Sequence, residues 1–105
     1  MATIANLTVK ADGSYEGTLT TLTVTAPIAI VPNARKTKDN EPDFRVIARK
    51  NGFEVGAGWT RTSQSGSDYV SVTLSAPEFG PIYANIANAP GDDPMKKVLI
   101  WNPPS

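Results

Sequence analysis

The sequence predicts an all-β fold, either a compact antiparallel sandwich or a partly open barrel of seven to eight short strands. Short runs alternate apolar and polar residues, turn residues separate these runs at regular intervals, and no stretch longer than one turn has a helical repeat of apolar residues. A chain of 105 residues can bury one core, so we expect a single domain, 1–105.

The strongest strand signal predicts a central three-stranded meander formed by residues 43–50, 53–61 and 68–75. Asn51 and Gly52 separate the first two runs, and both tolerate the positive φ that a two-residue type I′ turn requires. Because a two-residue turn fixes the register, the side chains on each face can be assigned.

This register pairs Phe44 with Trp59, and a six-residue loop 62–67 then pairs Trp59 with Val70. We therefore expect Trp59 in the core, and the alternative is an exposed platform for stacking. The expected core face consists of Phe44, Val46, Ala48, Val55, Ala57, Trp59, Val70, Val72 and Leu74.

The opposite face of the meander is the candidate binding surface. Gly56 and Gly58 form a glycine trough there, which indicates close approach by a ligand, a partner or another segment of the fold. Arg49 is expected to pair with Glu54, whereas Arg45 has no evident partner and is the best candidate for phosphate or carboxylate binding.

Two further features belong to this surface. Tyr69 is an outer-face aromatic that could stack on a base or a partner side chain, although a single exposed Tyr is common on sheets. Residues 33–41 (NARKTKDNE) have no apolar periodicity and include Lys36 and Lys38. This segment is either a solvated loop or a mobile basic finger beside the arginines.

The remaining strands flank the meander. Residues 4–10 form a strand, and a three-residue turn 11–13 sets its apolar residues on the same face as Tyr15 and Leu19. The apolar parity changes near Thr20, which predicts a bulge or corner in one long strand. Two later strands are expected at 82–86 and 95–101.

Composition excludes several classes of function. The ten Lys and Arg residues balance the ten Asp and Glu residues, so any nucleic acid must meet a local patch. The chain has no Cys and no His, which removes thiol and imidazole catalysis and the usual metal ligands. We expect no enzyme, no cofactor, no metal ion and no membrane partner. With neither a signal peptide nor an apolar run of about 20 residues, the expected location is cytoplasmic.

The blocks PDFRVIA, EVGAGWTRTS, DYVSVTL and PEFGPIYANI, with the closing LIW, resemble a known family across nearly the whole chain. It is the domain of unknown function family seven hundred and thirty-six, which comprises small bacterial proteins often carried on plasmids and integrative conjugative elements. Ala57 and Trp59 keep the family's small-then-Trp pattern, and Arg61 preserves a charge. The resemblance implies no activity, but it favours a binding module of a mobile element.

Two functional hypotheses remain. The first is binding of single-stranded nucleic acid through Lys36, Lys38, Arg45, Arg49, Arg61 and Tyr69, since seven of the ten basic residues lie between Arg35 and Arg61. The second is a protein-interaction module, either a homodimer or an inhibitor or adaptor of a host protein. It would use the glycine trough of Gly56 and Gly58 or an exposed strand edge.

Overall fold

Eight antiparallel strands close into one barrel in the computed structural model, which describes residues 2–77, 79–91 and 93–102. Each strand pairs with the next one in the chain, and the last strand pairs with the first. The strands are β1 (Thr3–Val9), β2 (Tyr15–Thr20), β3 (Thr25–Pro32), β4 (Phe44–Ala48), β5 (Glu54–Thr62), β6 (Asp68–Ala76), β7 (Phe79–Asn88) and β8 (Lys96–Trp101). The all-β prediction is confirmed, and the structure selects a closed barrel.

Closure removes the exposed strand edge that one hypothesis required. Every strand has a hydrogen-bonded neighbour on both sides, so no edge strand remains for another chain to extend. The prediction of an exposed edge as a docking site is therefore wrong for the described residues.

The connections alternate between two ends of the barrel because every strand runs antiparallel to the next. We call one the polar end; it carries connections 10–14, 33–43 and 63–67 and the connection between β7 and β8. We call the other the apolar end; it carries connections 21–24 and 49–53, the β6–β7 connection, the start of β1 and the end of β8.

Aliphatic side chains fill the interior of the barrel. Ile30, Val46, Val72, Leu74 and Leu99 are fully buried, and together they come from four strands, β3, β4, β6 and β8. Near the polar end the Tyr15 and Phe44 rings meet edge to face, with centroids 5.9 Å apart. The interior is a packed core and not an open channel.

The N-terminal hairpin matches its prediction. Ala5 pairs with Leu19 and Val9 with Tyr15, so these side chains share the interior face. Gly13 has φ 87°, which supplies the left-handed residue of the three-residue turn.

The long strand predicted through Thr20 is instead a hairpin. β2 ends at Thr20, which pairs with Thr25, and the intervening residues 21–24 make a tight turn. The Thr21 N–H donates to the Val24 carbonyl oxygen at 2.8 Å, and the Val24 N–H donates to Thr21 Oγ1 at 3.2 Å. The threonine hydroxyl supplies the turn contact that Asn, Asp or Gly usually provides.

The predicted register of β5 is wrong, and the error reverses the faces of residues 56–60, whereas Val55 is buried as predicted. Ala48 pairs with Phe53 through a four-residue connection, and a bulge then inserts Val55, so that Val46 pairs with Gly56. On the other side the loop has five residues and Gly58 pairs with Val72. Both shifts move β5 by one residue relative to the prediction.

The interior therefore receives glycines where the sequence predicted larger side chains. A Cβ at Gly56 would collide with the Thr73 carbonyl oxygen, and one at Gly17 would collide with the Asn6 carbonyl oxygen. These glycines let adjacent strand backbones approach more closely than a side chain would allow.

Replacing Gly56 tests this placement. Gly56→Ala should reduce the free energy of unfolding by about 3 kcal/mol or more, because the new methyl group meets backbone that cannot move aside. The control is Gly80→Ala, where the added Cβ has no neighbour within 4 Å and the loss should stay below about 1 kcal/mol. Urea denaturation measures both variants. Equal stabilities would show that Gly56 does not face the interior.

Candidate functional site

The surface that the sequence predicted on the meander is only partly assembled. Gly56 and Gly58 face the barrel interior, where a Cβ at Gly58 would lie 3.1 Å from Val70 Cγ1 and 3.4 Å from Phe44 Cβ. The glycine trough is therefore not available to a partner. Trp59, expected in the core, pairs with Ser71 on the outer face.

Arg45 is ion-paired, contrary to the sequence prediction. Its Nε donates to Glu54 Oε1 at 2.7 Å, so the carboxylate expected to bind Arg49 is bound by Arg45. Glu54 pairs with Ile47 in the ladder, and the long Arg45 side chain spans the two residues along the strand to reach it. The Arg45 guanidinium, which the sequence predicted to be free for a ligand, is therefore bound to Glu54.

Arg49 forms an ion pair with Glu16 of β2. Its Nη2 lies 3.7 Å from Glu16 Oε1, and Lys10 Nζ approaches the same oxygen at 3.8 Å. Each pair is half-exposed and contributes little stability, but the shared carboxylate neutralises part of the positive field.

The basic loop 33–43 is held against β5. Lys36 Nζ donates to Asp43 Oδ1 at 2.6 Å, and the Thr60 N–H donates to Asp43 Oδ2 at 2.8 Å. Trp59 Nε1 donates to the Asn40 carbonyl oxygen at 3.2 Å. These contacts favour a docked loop over a mobile finger, because the bonds from Thr60 and Trp59 join the loop to β5 and the Lys36–Asp43 ion pair braces it internally.

Asp43 is the anchor of this loop. The Lys36 ammonium and the Thr60 backbone N–H, which both bind the ionised carboxylate, lower the pKa of Asp43 from its usual value. Its backbone also joins the loop ends, since the Asp43 N–H donates to the Gly58 carbonyl oxygen and its own carbonyl accepts from Asn33. The Lys36 charge is thus used structurally.

Three predicted residues remain open at the polar end: Lys38, Arg61 and Tyr69. Arg61 pairs with Tyr69 across β5 and β6, which places the cation and the ring side by side on the outer face. Lys38 and Arg61 are exposed, and among the described residues no carboxylate oxygen lies within 4.0 Å of either cationic group. The predicted nucleic-acid site is therefore reduced to Lys38, Arg61 and Tyr69.

A small polar depression also lies at this end, with a volume of about 330 Å³. Two hydrogen bonds involve its lining residues. Lys97 Nζ donates to Asn88 Oδ1, and Thr62 Oγ1 donates to Asp68 Oδ1 at 2.9 Å. These bonds stabilise the mouth of the barrel, and Tyr69 also lines the depression.

The larger groove, which sequence reasoning missed, lies at the apolar end. It has a volume of about 630 Å³, within the range typical of ligand pockets. Among the described residues, none with a charged side chain lines it. Its apolar lining residues include Ile4, Leu19, Leu22, Val24, Ile82 and Trp101.

Exposed apolar side chains occur in this groove and elsewhere at the same end of the barrel. Leu22, at the tip of the β2–β3 turn, is fully exposed, and Trp101 is 38% exposed at the end of β8. Phe53 lies in another connection at the same end, and Tyr83 lies level with the end of β8, because its carbonyl accepts from the Asn102 N–H. One sequence feature indicated that this end is irregular: the apolar residues change from one strand face to the other near Thr20, where the β2–β3 turn begins.

No group of three or more metal-ligating side chains occurs within residues 2–77, 79–91 and 93–102. The only buried polar residue of that part of the chain is Ser14, whose Oγ donates to Asp12 Oδ1 at 2.6 Å. The barrel interior therefore presents no unpaired polar group for chemistry in the described residues. They also contain no helix with the length and hydropathy to cross a membrane.

Comparison with known proteins confirms the resemblance seen in the sequence. Residues 3–104 match the family described as Protein of unknown function (DUF736). The chain belongs to this family. No curated protein and no solved structure matches the chain. The family assigns no activity, so the site has to be interpreted from its geometry.

The Asp43 anchor predicts a pH-dependent stability. Since the folded-state pKa is lowered, the carboxylate contributes stability above its usual pKa of 3.8, and this contribution is lost as the pH falls through the folded-state value. Asp43→Asn should cost about 1 kcal/mol near pH 7, and the difference from the unmodified protein should shrink below about pH 4.

Urea denaturation across this pH range measures the effect. Asp39→Asn is the matched control, because Asp39 lies exposed in the same loop and makes no ion pair among the described residues. A constant difference at all pH values, or the same profile for Asp39→Asn, would contradict the assignment of Asp43.

Proposed function

We propose that the protein is a non-catalytic binding module of the cytoplasm that holds a protein partner at its apolar end. The observation that supports this proposal is the groove of about 630 Å³, which is rimmed by Leu22 and Trp101 and whose described lining residues carry no charge. Contiguous exposed apolar surface is uncommon on small monomers and is typical of interaction sites.

The distribution of exposed apolar residues also favours the apolar end as the binding surface. Five large apolar side chains are exposed among the described residues, and all except Met95 belong to the apolar end or to the adjacent wall. Single exposed apolar residues need no explanation, but Leu22 and Trp101 both line the groove, which favours a shared role. The partner surface that fits is apolar and uncharged, because an unpaired charge would lose its hydration there.

The proposal of a non-catalytic role follows from the side chains available. Without His or Cys, catalysis would need carboxylates, Lys, Tyr or Ser in a cleft. The described residues that line the groove include no carboxylate, Lys, Tyr or Ser, and their hydroxyl groups all belong to threonines. The chemistry that its lining offers is apolar contact with some hydrogen bonding.

Site-specific photo-crosslinking tests the interface. A benzoylphenylalanine at position 22 should give a discrete protein adduct in bacterial cells, identified by mass spectrometry, because Leu22 projects fully from the groove rim. The same group at Thr18, exposed on the outer wall of β2, is the control and should give no such adduct. A second substitution, Ile82→Asp in the groove, should remove it.

Equal adducts from positions 18 and 22, or none from position 22, would contradict an interface at the apolar end. Circular dichroism and thermal unfolding of the Ile82→Asp variant establish that the barrel persists.

A second candidate function is binding of single-stranded nucleic acid at the polar end. The observation that favours it is the cross-strand pair of Arg61 and Tyr69, which offers a cation and a stacking ring on one face. The ion pairs of Lys36, Arg45 and Arg49 reduce the cationic surface, so this candidate ranks second.

Fluorescence anisotropy with a labelled single strand tests this candidate at low and high salt. If the strand binds, Arg61→Gln should weaken binding and lower the salt slope by about 1, because one phosphate contact is lost. Lys50→Gln, the same charge change in the connection at the opposite end, should leave binding unchanged. Absence of binding at low salt and micromolar protein would exclude this function.

A further inference from the structure

The apolar end carries a protruding apolar group and a recessed apolar surface side by side. Leu22 is fully exposed at the tip of the β2–β3 turn, and the groove beside it reaches down to Leu19 and Ile82. Such a surface has the two complementary parts that a twofold interface needs, because each copy can supply both the projection and the recess.

The turn holds Leu22 in a defined position. Two hydrogen bonds between Thr21 and Val24, at 2.8 Å and 3.2 Å, close the turn on either side of residues 22 and 23. A side chain presented from a closed turn loses less conformational freedom on binding than one on an open loop. The projection is thus preorganised.

Electrostatics permit two copies to meet at this end. None of the described lining residues is charged, so contact between these parts of two identical surfaces buries no ion and brings no like charges together. The formal net charge of the whole chain is zero, with ten basic and ten acidic residues, so two copies do not repel each other at long range.

We infer that the occupant of the groove is a second copy of this chain, which forms an isologous dimer with Leu22 of each protomer in the groove of its partner. This inference rests on the proposed function and names the partner. The twofold axis passes beside the β2–β3 turns, and the rim Trp101 of each copy becomes covered in the dimer.

Light scattering with size-exclusion chromatography and sedimentation equilibrium test this assembly. The unmodified chain should have twice its monomer mass of 11.2 kDa. Leu22→Asp should raise the dimer dissociation constant at least about 30-fold, because a carboxylate would enter a groove whose described lining residues carry no charge. Thr18→Asp is the matched control, with the same added charge on the outer wall, and should remain dimeric.

Folding does not confound this test, because Leu22 is fully exposed and thermal unfolding of Leu22→Asp should match the unmodified protein. A monomeric mass of the unmodified chain at all concentrations overturns the dimer. So does a dimer that Leu22→Asp leaves intact. Nile red binding to a monomeric protein, lost in Ile82→Asp, would assign the groove to small apolar molecules and also overturn the dimer.

The two proposals fail separately. A monomer whose position-22 crosslinker still captures one identified different protein overturns the dimer and leaves the protein-binding function standing. A monomer with no adduct at position 22 overturns both.

Discussion

Closure of eight short strands into one narrow barrel is the constraint on which the other features depend. A barrel of this size brings strand backbones and interior side chains close together, so some interior positions have no room even for a methyl group. Gly17 and Gly56 occupy such positions, since a Cβ at either would collide with a backbone carbonyl oxygen of the adjacent strand. Gly56, which the sequence placed in an external trough, is therefore required by the core.

The same constraint explains which parts of the fold the sequence could predict. The N-terminal hairpin was predictable because Gly13 marks its turn and the alternation continues on both sides of it. The register of β5 was not, because a bulge at Val55 adds one residue without any local signal and reverses the faces of Ala57 and Trp59. The hairpin at residues 21–24 was missed since its turn is made by threonine.

Electrostatic pairing was harder to predict than the strands. Arg45 and Arg49 were correctly expected outside the core, but their partners depend on distances across the curved surface. Glu54 is reached by Arg45, and Glu16 from β2 is reached by Arg49 through the curvature of the barrel. Sequence separation gave no indication of the second pair. Asp43 likewise acts through contacts with Lys36 and Thr60 that only the folded loop creates.

The two ends of the barrel differ because the polar and apolar connections fall on opposite ends of an up-and-down meander. The polar end is crossed by longer connections whose charged groups largely satisfy one another, as at Asp43, and these bonds stabilise the fold without leaving much cationic surface. The apolar end has short connections that cannot cover the barrel mouth, so Ile82 and Trp101 line an open groove. Exposed apolar area of this kind has a free-energy cost in water that association with another surface removes. The connection lengths, more than any single residue, therefore determine which end of the barrel is available to a partner.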